Sequence, residues 1–137
     1  MADRPVVLFA CVHNSGRSVA ARVLTEQYAA DRVEARSAGS VPGTGVNPMV
    51  VQVLAERGLS SDAEAPTKLD YDQVGAADVV ITMGCGETCP VVPGKRYEDW
   101  PVDDPAGQDL ATVRRIVAEV DDRVRKLLKE LDASVES

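Results

Sequence analysis

Cys11-Val12-His13-Asn14-Ser15-Gly16-Arg17-Ser18 sets a thiol, a guanidinium and two hydroxyls on one short stretch, in a Cys-x5-Arg-Ser arrangement. That set of groups suits a tetrahedral oxyanion. The backbone amides of a small, turn-rich loop and the N-terminus of a following helix converge on an anion. Arg17 can grip two oxygens with its planar fork. The same field favours the thiolate form of Cys11, the form that attacks. Ser18 can donate to the sulfur, and Asn14 and Ser15 can tie the turn through side-chain bonds. The loop Val12, His13, Asn14, Ser15, Gly16 and Arg17 is therefore the candidate oxyanion site. The bland alternative is a helix that begins after a buried packing cysteine.

Two further stretches could serve the same chemistry. An oxyanion that loses an oxygen needs a proton delivered to the leaving group. Asp103-Asp104-Pro105-Ala106-Gly107 offers carboxyls on a loop, which could act as general acid. Taken alone, that stretch reads as an ordinary acidic turn. Met83-Gly84-Cys85-Gly86-Glu87-Thr88-Cys89-Pro90 carries the other two of the three cysteines. Gly84 and Gly86 flank Cys85, so its backbone can swing at small steric cost. Two cysteines in this setting suit a redox relay, simple packing or half of a zinc site. A zinc site needs four ligands, and His13, the single histidine, sits inside the anion loop.

The elements around these residues read as alternating strands and helices. Val6-Val7-Leu8-Phe9-Ala10 is a continuous apolar run, as in a buried parallel strand, and it stops at Cys11. From Arg17 to Ala30 the apolar positions recur at helical spacing, with Val19, Ala20, Val23 and Leu24 on one face. Val33 to Ser37 predicts a second strand. Asn47-Pro48 predicts a helix start that runs to about Arg57 and ends at Gly58. A short helix is expected near Asp70–Val74, a buried strand over Asp78–Met83, and a short strand over Arg96–Trp100. Gly84 to Gly94 reads as a loop. The last helix, about Leu110 to Leu131, carries Val113, Ile116, Val117, Val120, Val124, Leu127 and Leu128 on one face. Its charged face reads as solvated surface, and the Ser-Val-Glu-Ser end as frayed. This alternation predicts an α/β fold: a single-domain three-layer sandwich with a four-stranded, mainly parallel sheet and helices on both faces. Ligands of such sheets sit beyond the carboxyl ends of the strands, where Cys11 lies.

Bulk properties narrow the function classes. The 137 residues are expected to form one domain, 1–137, large enough to bury a core. The net charge of −7 argues against nucleic acid as a partner and requires any anion site to make its own local positive field. No apolar run reaches the ~18 residues of a membrane span, and no secretory signal is visible. With an odd cysteine count, this points to a reducing, cytoplasmic setting.

Cys11 to Ser18, preceded by Val-Leu-Phe-Ala, resembles the phosphate-binding loop of low-molecular-weight protein tyrosine phosphatases and of thioredoxin-coupled arsenate reductases on the same fold. Ser37-Ala38-Gly39, Val46-Asn47-Pro48 and Asp103-Asp104-Pro105-Ala106-Gly107 are similar to that superfamily too, so the resemblance spans nearly the whole chain. It implies Cys11 as nucleophile and Asp104, from the Asp-Pro pair, as general acid, with Asp103 the competing choice. Phosphatases of this fold place aromatics beside the Asp-Pro pair. Here Ala106-Gly107 follow, and aromatics make up only 4% of the chain. The arsenate reductases imply the alternative: Cys11 attacks arsenate, Cys85 displaces arsenite to form Cys11–Cys85, and Cys89 resolves it to Cys85–Cys89 for thioredoxin to reduce. The Cys-x3-Cys spacing is shorter than is usual there. It is compatible with a bridge, because residues four apart on a helix have Cα atoms about 6 Å apart, inside the disulfide window.

The expected function is thus arsenate reduction, with phosphate and sulfate as competing anions, weak phosphatase activity and no cofactor. Three readings compete: a mycothiol-dependent reductase using only Cys11, a protein tyrosine phosphatase, and a non-enzymatic thiol sensor of arsenite or metal. Some relatives bind potassium beside the loop through acidic side chains. The corresponding positions here are Arg22 and Lys68, and Ser37 with Asn14 cannot make an oxygen cage. Replacing potassium by sodium at fixed ionic strength should therefore leave the melting temperature unchanged. A potassium-specific rise of several degrees would reveal a cation site.

Overall fold

The computed structural model describes residues 5–11, 16–29, 32–39, 43, 45–60, 67–83 and 96–136, with side chains to residue 131. The first strand, β1 (Val6–Cys11), is apolar throughout because both of its faces are covered, and Val7, Leu8, Phe9 and Ala10 are wholly buried. It pairs in parallel with β2 (Glu34–Gly39) on one side and β3 (Val79–Thr82) on the other, and β4 (Arg96–Asp99) pairs in parallel with β3. The order is β2-β1-β3-β4, so the expected mainly parallel sheet is parallel at every pairing. The second strand runs further than Val33 to Ser37 suggested, because β1 still offers partners at Ala10 and Cys11 to Ala38 and Gly39.

Alternation along the strands divides the interior into two layers. Val7, Phe9, Cys11, Val79 and Ile81 face the larger core. There they pack with Val19 and Leu24 of α1 (Arg17–Ala29), Val50 and Leu54 of α2 (Pro48–Glu56), and Val113, Val117, Val120 and Val124 of α4 (Leu110–Glu136). Leu8, Ala10, Ala38 and Val80 face the other way, toward Leu69, Val74 and Ala77 around α3 (Tyr71–Ala76).

Local chemistry sets the helix ends. The Asn47 side chain accepts from the Met49 amide at 2.9 Å, Pro48 takes the first helical position, and Gly58 leaves α2 with φ of 77°. Asp70 caps α3 by accepting from the Gln73 amide at 2.8 Å, and Gln73 returns the bond to the Asp70 amide at 3.0 Å. The final helix corrects one expectation. Ser134-Val135-Glu136 is helical rather than frayed, since no Gly or Pro after Leu131 interrupts the ladder.

Asp121, buried on α4, joins three helical segments. Its carboxylate accepts from the Tyr28 hydroxyl of α1 at 2.5 Å and lies 3.1 Å from Arg125 and 3.5 Å from Arg57, which follows α2. The bond to Asp121, then burial, hold the Tyr28 phenol above its ordinary 10.0. A raised folded-state value means that this stabilisation is complete below the ordinary phenol value and is lost as pH climbs through the raised one. Tyr28→Phe should therefore cost about 1 kcal/mol near neutrality, or about 3 °C in melting temperature. The gap should close in strongly alkaline solution. A gap that stays constant into the alkaline range would show that the hydroxyl bond contributes nothing.

Candidate active site

β1 ends on Cys11 and α1 begins on Arg17, which sets a thiol and a guanidinium at the carboxyl edge of the sheet. Val12, His13, Asn14 and Ser15, the middle of the expected oxyanion loop, lie outside the described residues, as do Cys85 and Cys89. Cys11, Gly16, Arg17 and Ser18 are all buried. The Cys11 sulfur stands 2.9 Å from the Ser18 hydroxyl. A hydroxyl can donate to a thiolate, and it keeps its own proton at working pH, so this pair can steady the anionic sulfur in the polarity that attack requires.

Arg17 is the charged group of the site, and its side chain is only 10% exposed. Its Nη1 donates to the Val102 carbonyl at 3.1 Å, and its Nη2 lies 3.8 Å from Asp104 Oδ2. Both partners belong to the loop that follows β4. The Trp100 amide donates to the Thr82 carbonyl at 2.8 Å, which pins the start of that loop to the end of β3. The Val102 amide donates back to the Trp100 carbonyl at 2.8 Å, a tight turn centred on Pro101 whose fixed φ suits it. The Gln108 amide donates to the Pro105 carbonyl at 3.1 Å around Gly107, whose φ of 75° is the conformation a type II turn needs at that place. The carboxylate of Asp109 then caps α4 by accepting from the Thr112 amide at 2.8 Å. Hydrogen bonds from Thr112 hold the Asp109 carboxyl below the usual carboxylate value.

This geometry separates the two candidate carboxylates. Asp104 faces Arg17, half exposed at 49%, and its Oδ1 accepts from the Ala106 amide at 3.0 Å. Asp103 turns the other way and pairs with Arg115 of α4 at 3.1 Å. Cys11, Arg17, Ser18 and Asp104 thus come together from positions that span most of the sequence. Two participants left no trace in the sequence. A backbone carbonyl such as that of Val102 has no residue-type signature, and Arg115 sits on the α4 face expected to be mere solvated surface.

Met83, which begins the stretch that carries Cys85 and Cys89, is tethered here by strand register. Ala10 pairs with Thr82, and the Met83 amide donates to the Ala10 carbonyl at 2.7 Å, so β3 ends level with Ala10, one residue before Cys11. Elsewhere, Arg22 pairs with Glu26 of its own helix at 3.3 Å, and Lys68 lies beside Gly39 in an isolated bridge. Among the described residues, no three His, Cys, Asp or Glu side chains gather as a metal site would require.

Comparison with known proteins finds relatives along nearly the whole chain. A putative arsenate reductase of Halobacterium salinarum is 32% identical over 129 residues, covering 90% of this chain and 91% of that protein. Among solved structures, a thioredoxin-dependent arsenate reductase of Corynebacterium glutamicum superposes with a TM-score of 0.86 at 44% identity. It covers 97% of this chain, but this chain spans only 64% of it. An arsenate reductase of Archaeoglobus fulgidus gives 0.76 at 37% identity, covering 90% of this chain and 98% of that one. The model of the family described as low molecular weight phosphotyrosine protein phosphatase matches residues 6–137. Because that match runs from the first residue of β1 through the end of the chain, the protein belongs to the low molecular weight phosphotyrosine protein phosphatase family.

Proposed function

We propose that the chain, acting as one domain over 1–137, is an arsenate reductase of the cytoplasm that draws its electrons from thioredoxin. The names of its relatives support the reaction, and the thioredoxin dependence of the Corynebacterium glutamicum neighbour supports the reductant. The observation that carries the relay is the register of β1 and β3. Met83 is bonded beside the end of β1, and Cys85 follows it by two residues. Chain connectivity alone therefore keeps the Cys85 Cα within about 7 Å of that of Met83. Among the described residues, no helix is long and apolar enough to cross a membrane.

In this reading the Cys11 thiolate attacks arsenic(V), held by Arg17 and the loop amides, and Asp104 gives its proton to the departing oxygen. The Cys85 thiolate then attacks the Cys11 sulfur. The sulfur–arsenic bond breaks with its electron pair on arsenic, arsenite leaves as arsenic(III), and Cys11–Cys85 forms. The Cys89 thiolate attacks Cys85 and frees Cys11 as a thiolate. A thioredoxin dithiol reduces the Cys85–Cys89 bond and is itself oxidised. Asp104 is the better acid candidate than Asp103 because it already faces Arg17, whereas Asp103 is engaged by α4.

Four substitutions test the chemistry at Cys11. Cys11→Ser should abolish arsenite formation, since a serine hydroxyl is far less ionised. Arg17→Ala should lower turnover about 10²–10³-fold by removing an oxyanion donor. Asp104→Asn should cost about 10²-fold, and it should lower the weak hydrolysis of aryl phosphates as well. Near-wild-type rates for Cys11→Ser or Arg17→Ala would remove the assignment, and a larger loss in Asp103→Asn would transfer the acid role.

The order of the cysteines gives each a separate failure signature. Cys89→Ser should release about one arsenite per protein and stop with Cys11–Cys85 accumulated. Cys85→Ser should release none without added thiol. Wild type given arsenate without reductant should end as Cys85–Cys89 with Cys11 free. Mass spectrometry of non-reduced peptides distinguishes these states. Normal turnover of both variants with mycothiol would favour a small-thiol reductase that uses only Cys11. A single turnover that leaves Cys85 and Cys89 reduced would exclude the relay.

A further inference from the structure

Gly16 immediately precedes α1 and does not need to be glycine for its backbone. Among the described glycines, left-handed φ values occur at Gly58 and Gly107, and not at Gly16. What excludes a side chain at 16 is Pro105. A Cβ built there would stand 2.7 Å from Pro105 Cγ and 3.5 Å from its Cδ, with Val50 Cγ2 at 3.7 Å. Separations under 3.0 Å essentially never occur for a real Cβ. Pro105 is buried, and its ring is closed onto its own backbone, so it cannot swing aside as a flexible side chain would.

We propose that Gly16 and Pro105 form the seat of the acid loop and act as positioning residues for Asp104. This inference rests on the reading of Asp104 as general acid. Pro105 immediately follows Asp104, so a displacement of the ring is passed to the carboxyl next to it. The Arg17 bond to Val102 holds the same loop from the other side of Asp104. Together they fix residues 102 and 105 against residues 16 and 17, with the acid between them. Proton delivery needs a heavy-atom separation of about 2.6–3.2 Å, and a misplacement of about 1 Å can cost about 10²-fold in rate. The missing side chain at 16 therefore sets the acid's reach, while the amides and guanidinium that hold the anion stay as they are.

The test combines a clash with its relief. Gly16→Ala should slow arsenite release in a single turnover by at least about tenfold and speed deuterium exchange of the amides in residues 102–108. Inhibition by phosphate should stay within about twofold, because alanine keeps the backbone amide that residue 16 contributes to the anion loop and Arg17 is unchanged. Adding Pro105→Ala removes the ring atoms that meet the new methyl, so Gly16→Ala/Pro105→Ala should recover both the rate and the slow exchange. A damaged anion loop would instead weaken phosphate binding and would not be rescued by a change at 105. Wild-type exchange and rate in Gly16→Ala, weakened phosphate binding in that variant, or a double variant no better than the single one would each overturn the seat. Asp104→Asn is the separate control. It should lose rate with exchange unchanged, and if it keeps its rate, the assignment of the acid fails while the exchange data still judge the contact.

Discussion

A buried guanidinium must find partners, and Arg17 finds them on a loop 85 residues further along the chain, at the Val102 carbonyl and beside the Asp104 carboxylate. This is the interaction on which the site depends. The chain carries a net charge of −7, so an anion can be held only where positive charge is concentrated and shielded from the surrounding carboxylates. Burial of Arg17 supplies that concentration. It also means that the group proposed to grip the oxyanion is the one that draws the acid loop onto the turn. In the proposed mechanism, binding and proton delivery are thereby built on the same side chain.

The sheet makes that meeting possible. In the order β2-β1-β3-β4, the chain runs from β1 to one side and later returns to the other, so the strand order reverses between β1 and β3. A crevice opens at the carboxyl ends where such a reversal occurs. Cys11 stands on one lip of it and Met83 on the other, joined by the bond from the Met83 amide to the Ala10 carbonyl. The loop after β4 enters from the same edge, pinned through Trp100 to Thr82 and packed by the tilted Phe9–Trp100 ring pair at 5.8 Å. Three loop origins at one end of a rigid sheet can be held to tight tolerances, which loops anchored on different faces could not be.

The charged face of α4 shows how far a surface can differ from its appearance in sequence. Arg114 makes a bidentate pair with Glu56 of α2 at 2.9 and 2.8 Å, Arg115 turns Asp103 away from the site, and Glu130 meets Arg96 of β4. Exposed pairs of this kind stabilise by about 0–1 kcal/mol each. Their larger effect is on orientation, since the pair at Arg115 leaves Asp104 alone in front of Arg17.

Much of this protein is determined by its sequence alone. Continuous apolar runs at Val6–Ala10 and Val79–Ile81 dictate buried parallel strands, because only residues covered on both faces can be apolar without alternation. Asn47-Pro48 and Gly58 mark α2, since caps satisfy backbone groups within a few residues of themselves. The Cys-x5-Arg-Ser stretch was legible as a candidate for the same reason, being a local set of side chains suited to one ligand class, whereas the Asp-Pro loop alone reads as an ordinary acidic turn and stood out only through the family resemblance. What only the tertiary structure decided depends on contacts between distant residues: which of two adjacent aspartates faces Arg17, that a carbonyl at Val102 completes the guanidinium's bonds, and that Gly16 is small because Pro105 lies against it. The end of α4 and the full length of β2 belong to the same class, for an element continues as long as its ladder finds partners. Local propensity acts over one turn of chain, whereas steric fit and the pairing of buried charge act across the whole fold, and it is the latter that place Asp104.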